Sequence, residues 1–208
     1  MNVIVNTVKE LKDKIGDEVD KTYHGFENMR DAGEDEWFSE LCFCILTANA
    51  SAEMGIRAQK LLGYDGFSGL SLKELADGLK SSGYRFYNKR AEYIVGARWI
   101  NGALKKTIMG MNNQFKAREW LAQNIKGIGY KEASHFLRNV GYGDLAILDK
   151  HILYILRKYD LIGDFKTVNK KRYIAIEHVL REIAQRLHMP VGKLDLYLWY
   201  MKTGKVLK

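Results

Sequence analysis

The chain has 208 residues, with 47% hydrophobic and 28% charged side chains and a formal net charge of +8 at pH 7. This balance excludes a disordered polymer, and the length suffices for one large domain or two small lobes around a shared core. The surplus of Lys and Arg favours a polyanionic partner, nucleic acid first, over a membrane, because no apolar run approaches the roughly 20 residues that a bilayer span needs.

Taken in chain order, the first helical pattern runs from Thr7 to Arg30. Next, Trp37, Leu41 and Ile45 recur at i, i+4 and i+8, with Phe38, Cys42 and Leu46 filling the adjacent stripe. A segment apolar around most of its circumference belongs at the centre of a core. Cys42 and Cys44, the only two cysteines, lie two apart in this run, so their side chains diverge and no disulfide is expected. Two thiols cannot fill a four-ligand zinc or iron–sulfur site, which leaves core packing in a reducing compartment. Further helices are predicted over Ala52–Leu62, Leu72–Ser81, Tyr87–Asn101, Lys116–Asn124, Tyr130–Val140, Lys150–Tyr159, Val168–Leu187 and Pro190–Thr203. Pro190, the only proline, fits the first turn of the last helix, where its missing N–H costs nothing. No stretch alternates like a strand, and the breaks fall at Gly63, Gly66, Gly69, Gly83, Gly127, Gly141 and Gly143. The expected fold class is all-α. Met1–Asn6 lacks a charged segment followed by an apolar one, so no signal peptide is expected and the protein is read as cytoplasmic.

The segment from Asn124 to Leu153 carries the chemistry. Gly127 and Gly129 stand within three residues, immediately before a helix. Glycines accept positive φ and close backbone approach, and the helix behind them offers unpaired N–H groups and the positive end of its dipole. Such a turn suits a phosphate oxygen, a DNA backbone phosphate included, although a plain helix–helix turn has the same spelling. In the following helix Ala133, Phe136, Leu137 and Val140 form the core stripe. Lys131 is expected to point away from it, on the face shared with His135 and Arg138. Its first-turn position opposes the dipole, an arrangement suited to a nucleophilic amine, although a solvated surface lysine fits the same position. After Gly141-Tyr142-Gly143-Asp144 an apolar run reaches Asp149-Lys150-His151, where Asp149 fits a helix N-cap. A capping carboxylate can also face a cleft.

These residues resemble the helix-hairpin-helix DNA glycosylases of the endonuclease III superfamily. That family carries a G-[VI]-G-x-K hairpin and then an aspartate in an apolar–D–x–H context, matched here by Gly127-Ile128-Gly129-Tyr130-Lys131 and by Leu148-Asp149-Lys150-His151. Ile45-Leu46-Thr47-Ala48-Asn49-Ala50-Ser51 is similar to its L-L-[ST]-A-Q-[AT]-T segment, with Asn49 replacing the usual glutamine. Phe86–Ile94 is similar to its Y-N-x-K-A-x-x-I helix. The C-terminal cysteines of the iron–sulfur branch are absent, and the ending Trp199-Tyr200 through Gly204-Lys205-Val206-Leu207-Lys208 is similar to the archaeal 8-oxoguanine DNA glycosylase/lyases.

The resemblance implies two helical lobes flanking a DNA-binding cleft, one at 32–142 with the hairpin and one at 1–31 plus 143–208. It implies excision of 8-oxoguanine from double-stranded DNA by a monomer. No cofactor is required and no iron–sulfur cluster is expected, with a monovalent cation at the hairpin as the one possible ion. Gly127, Gly129 and Lys126 would hold the DNA backbone. Asn49, Arg85 and Phe86 would fill the vacated stack and meet the partner base, Arg85 favouring a cytosine. Asp149 would stabilise positive charge on the deoxyribose, and Lys131 would attack C1′ and allow β-elimination. Trp199, Asp195 and Lys208 would line the base pocket, Trp199 by stacking and Asp195 by hydrogen-bonding the base or by capping. Without the resemblance, the lysine-rich tail would be called frayed. Two alternatives stand beside this reading: a glycosylase for another damaged or mispaired base, and a non-catalytic hairpin module that only grips DNA.

Overall fold

Eleven α-helices and one 3-10 turn make up the regular structure of the computed structural model, which covers residues 1–208 and has no strand. They are α1 (Asn2–Asn28), α2 (Glu34–Thr47), α3 (Ala52–Gly69), α4 (Leu72–Ser81), α5 (Tyr87–Ala97, continued by the 3-10 turn Arg98–Ile100) and α6 (Leu104–Gly110). The remainder are α7 (Gln114–Asn124), α8 (Tyr130–Asn139), α9 (Lys150–Lys158), α10 (Lys170–Arg186) and α11 (Val191–Thr203). Side chains that compete with the backbone set several starts: Ser51, Ser71, Asn113, Asp149 and Asn169 each accept first-turn N–H bonds.

The differences from the sequence expectation have local causes. Helix α1 starts before Thr7 because Ile4, Val5 and Val8 are buried and hold the first turns down. Helix α6 was not expected, since seven residues anchored by Leu104 and Ile108 are too short to show a period. In α3 the helical path breaks at Gly63, at φ 60° and ψ −173°, and resumes to Gly69 rather than stopping. Pro190 is the N-cap of α11 rather than part of its first turn.

Two apolar clusters organise these helices. One is built from residues between Trp37 and Leu145, the other from Ile4–Phe26 together with Ala146–Leu198. The second lobe therefore closes with both ends of the chain, α1 lying against α11. Helix α2 is the axis of the first lobe, with ten of its 14 residues buried, Glu40 among them. Cys42 and Cys44 are buried there as free thiols, and burial pushes both thiols up from their ordinary range, as suits inert packing. No helix is long and apolar enough to cross a membrane.

The face of α8 that carries Lys131, His135 and Arg138 is not a solvent face. His135 and Arg138 are buried: His135 packs edge-on against Phe43 of α2, and Arg138 lies over Phe26 of α1 and pairs with Asp195 of α11. Amphipathic spacing identified the core stripe but could not distinguish water from a second lobe on the far side.

One carboxylate joins the lobes. Glu177 of α10 accepts from Arg118 of α7 at 2.5 and 3.2 Å, from Arg181 at 2.6 Å and from the Ala146 N–H at 2.9 Å. The Arg118 and Glu177 side chains are 4% and 1% exposed. Tyr173 closes the cluster by donating to the Ala146 carbonyl at 2.6 Å. Removing one member of a buried pair strands the other charge. Arg118→Ala should therefore lower the unfolding free energy by about 3–5 kcal/mol, read by urea titration. A loss below about 1 kcal/mol would mean that Arg181 and the Ala146 amide satisfy Glu177 unaided.

Candidate active site

The hairpin between α7 and α8 is tied down by its isoleucines. Ile125 and Ile128 are buried, and the Ile128 N–H donates to the Ile125 carbonyl at 3.1 Å. Gly127 between them takes φ +91°, and a Cβ placed there would meet Tyr93 Cδ2 at 2.4 Å. Gly129 is different: its φ is −100° and its added Cβ would find nothing nearer than Glu132 Oε2 at 3.5 Å. The expectation of special conformation thus holds for Gly127 alone, and Gly129 contributes an open approach to the helix start. No side chain caps α8, so its first-turn N–H groups remain available to a ligand. Lys126 is exposed, with its ammonium 5.9 Å from the Tyr93 ring.

A cleft of about 840 Å³ opens between the lobes. Eight of the eleven sequence-predicted residues line it: Asn49, Arg85, Phe86, Lys131, Asp149, Asp195, Trp199 and Lys208. Lys126, Gly127 and Gly129 do not; they form the hairpin at the other end of the α8 first turn.

Lys131 projects from that first turn with its side chain 24% exposed and its Nζ 3.4 Å from Glu132 Oε1. Asp149 reaches the cleft from the second lobe as the N-cap of α9. Its Oδ1 accepts the His151 and Ile152 N–H groups, both at 2.8 Å, and its Oδ2 accepts the Trp199 indole N–H at 3.2 Å. Three donors therefore orient one carboxylate. Trp199 is held by that bond and by an edge contact with His151, at 5.8 Å between centroids. No spacing signal connects the indole to Asp149, which lies 50 residues earlier.

Asp195 lines the cleft with a paired carboxylate. It neither caps a helix nor stands in solvent, because Arg138 Nη1 donates to its Oδ2 at 2.7 Å in a buried pair. Burial pushes the Asp195 carboxyl up to about 7 against the lowering effect of Arg138, and the charge of Asp149 pushes the same way as burial. His135, also in the cleft wall, is held well below its ordinary range by burial first and then by Arg138, Lys131 and Lys208. It is neutral, and its Nδ1 has no partner.

On the opposite wall, α2 ends at Thr47 and Asn49 takes φ +58° at an exposed tip. Asparagine tolerates this left-handed conformation better than most residues. The tip is pinned from behind by Arg90, donating to the Ala48 carbonyl at 2.5 Å, and by Tyr84, donating to that of Leu46. Arg85 is exposed and stacks 4.5 Å over Phe86, which is itself half-buried against the first-lobe core.

The C-terminal tail is ordered by ion pairs. Lys205 reaches Glu53 at 2.9 Å, and Lys208 reaches Glu40 and Gln59, both at 2.7 Å. Glu40, Gln59, Asn139 and His135 escaped the sequence reading as functional positions. The one available signal was Glu40, a lone charge in the apolar run Trp37–Thr47.

A family model described as 8-oxoguanine DNA glycosylase matches residues 19–189. An 8-oxoguanine DNA glycosylase/AP lyase of Methanocaldococcus jannaschii is 50% identical over 208 residues, covering 99% of this chain and 100% of the relative. One of Korarchaeum cryptofilum is 46% identical over 99% of this chain and 98% of the relative. Among solved structures, the M. jannaschii 8-oxoguanine glycosylase/lyase in complex with 15mer DNA containing 8-oxoguanine superposes with a TM-score of 0.96 at 50% identity, over 99% of this chain and 100% of that chain. The 8-oxoguanine DNA glycosylase of Thermotoga maritima gives 0.94 at 45% identity, with both chains covered in full.

Two outcomes follow from the local geometry. Gly127→Ala combines a left-handed φ with a clash, so it should lower the melting temperature by several degrees, on the order of 1–2 kcal/mol, whereas Gly129→Ala should leave it unchanged. Equal effects in a thermal melt would contradict this. For Asp195, a folded-state value above the unfolded one means that the folded form binds the extra proton between about pH 4 and pH 7. Its contribution to stability is full below the unfolded value and is lost as pH rises through the folded one. The stability difference between wild type and Asp195→Asn should accordingly shift against wild type from pH 4 to pH 8; a constant difference would refute the assignment.

Proposed function

The chain belongs to the 8-oxoguanine DNA glycosylase family, and we propose that it excises 8-oxoguanine from duplex DNA and then cleaves the strand as an AP lyase. The observation that carries this reading is the meeting of Lys131 from the first lobe with Asp149 from the second in one cleft. The volume suits an extruded nucleotide, and the basic chain suits a backbone polyanion. Its place of work is the chromosomal DNA of the cytoplasm.

A base inside a duplex is out of reach, so the nucleotide must leave the stack. The uncapped start of α8, with Gly129 open beside it and Lys126 exposed, supports phosphate binding next to the cleft. Between Lys126 and Tyr130 the hairpin has only main-chain polar groups to offer. A monovalent cation there would be held by carbonyl oxygens, and no chemical step is assigned to it. Asn49, Arg85 and Phe86, which line the same cleft as Trp199, would fill the vacated stack.

Chemistry then needs an amine and an anion. Once its ammonium has given up a proton, the Lys131 amine attacks C1′ as the glycosidic bond breaks, and the base leaves with the bonding electron pair and takes up a proton. Positive charge that builds on the sugar is stabilised by Asp149, whose capping bonds and indole contact hold its carboxylate in place before the reaction. The amine passes a proton to O4′ as the C1′–O4′ bond opens, which leaves a 4′-hydroxyl and a protonated Schiff base. Loss of a C2′ proton expels the 3′ phosphate by β-elimination, and water later releases the lysine.

Borohydride trapping on duplexes with 8-oxoguanine opposite cytosine tests the assignment. Wild type should give a covalent adduct, Lys131→Gln none, and Asp149→Asn should bind while reacting about 100-fold or more slowly. An adduct that survives Lys131→Gln would move the nucleophile elsewhere. Tight binding with neither adduct nor base release would favour the non-catalytic hairpin module.

A further inference from the structure

Beneath the cleft floor runs a continuous line of buried charge-assisted hydrogen bonds that the chemistry above does not use. It begins at Asp195 on α11, one helical turn before Trp199, where Arg138 Nη1 donates at 2.7 Å. Arg138 Nε donates to Asn139 Oδ1 at 2.9 Å, and Asn139 Nδ2 donates to Glu40 Oε1 at 2.6 Å. Glu40 Oε2 accepts from Lys208 Nζ at 2.7 Å, and Gln59 accepts a second Lys208 bond at 2.7 Å. Asp195, Arg138, Asn139 and Glu40 are between 1% and 8% exposed. Such bonds are stronger and more directional in a low-dielectric interior, and a half-satisfied network there is costly.

The line joins the two sides of the cleft. At one end stands the helix that carries Trp199; at the other, the last residue of the chain, with its ammonium 4.2 Å over the Phe43 ring. Asn139 is the central link because its amide serves both neighbours, accepting from the cation and donating to the anion. Its position on α8 ties this link to the helix that bears Lys131. The close fit extends to the backbone, since a Cβ at Gly192 of α11 would meet Arg138 Cγ at 2.9 Å.

We propose that Asn139 and Arg138 are positioning residues for base selection: they lock the terminal Lys208 and the Trp199 helix into one register, so that the extruded base meets a preformed pocket. This rests on the reading that Lys208 and Trp199 face that base. Cleavage of a preformed abasic site starts from the sugar aldehyde and needs the Lys131 amine but no extruded base, so it does not depend on the pocket that Asn139 locks. Breaking the line there separates two activities that a general loss of structure would reduce together.

The test uses the full chain and three readouts on Asn139→Leu: single-turnover release of 8-oxoguanine opposite cytosine, cleavage of a preformed abasic site, and removal of Lys208 by a carboxypeptidase specific for basic residues. Base release should slow about tenfold or more, abasic-site cleavage should stay within about twofold, and the terminal lysine should be trimmed faster. Glu40→Gln keeps the shape and removes the charge, so it should give the same split in smaller measure and decides the matter if Asn139→Leu does not fold. Equal losses in both activities, or unchanged base release with Lys208 freed, overturn the proposal. If wild type releases no 8-oxoguanine, the proposed function fails. The trimming rate still judges the register on its own, and unchanged trimming overturns it.

Discussion

Glu177 is a buried carboxylate with four donors, and the arrangement of the cleft depends on where it sits. It belongs to the second lobe, yet two of its bonds come from Arg118 of the first. A third comes from the backbone of Ala146, the point at which the chain crosses between the lobes. Because Tyr173 also binds the Ala146 carbonyl, the extended segment leading to Asp149 is fixed from both of its polar groups. Buried ion pairs are seldom a large source of net stability, because desolvation offsets much of the attraction. Their surer effect is to fix register. Here the register is that of α8 against α9, which sets Lys131 of one lobe against Asp149 of the other.

Around the cleft the charges alternate in a way that the net charge conceals. The cations Lys131, Arg138 and Lys208 are each matched by a carboxylate: Glu132, Asp195 and Glu40 respectively. Asp149 is matched instead by neutral donors, two backbone N–H groups and an indole. That difference matters chemically. A carboxylate satisfied by dipoles keeps its full charge for a cation that develops during the reaction, whereas one paired to arginine has already been neutralised. His135 completes the pattern as an uncharged ring among cations.

The features legible in the sequence are those made within a few residues. The Gly127–Gly129 turn, the first-turn position of Lys131 and the capping position of Asp149 are local facts, and the structure places them where spacing says. What spacing could not supply is what lies across from a helix face. His135 and Arg138 follow the same periodicity as solvent-facing residues, yet both are buried, against Phe43 of α2 and against Phe26 of α1 and Asp195 of α11. The pairing of Asp195 is not legible because its partner lies 57 residues away, nor is that of Asn139, whose partner Glu40 lies 99 away. The special conformation expected of both glycines belongs to one, since only Tyr93, from another helix, gives Gly127 its steric need. Likewise α6 is held by two buried anchors rather than by any pattern of its own.

This division between local and distant contacts has a functional counterpart on the proposed reading. The sugar chemistry rests on the starts of two helices, each begun by the residues beside it and set against the other by Glu177. Base recognition rests on the chain terminus, which has no helix of its own and would fray if left to conformational entropy. Its order comes from Glu40 and Gln59, and through Asn139 from the helix that carries the nucleophile. A pocket built this way can change its base preference through a few buried polar substitutions while the lyase chemistry stays intact.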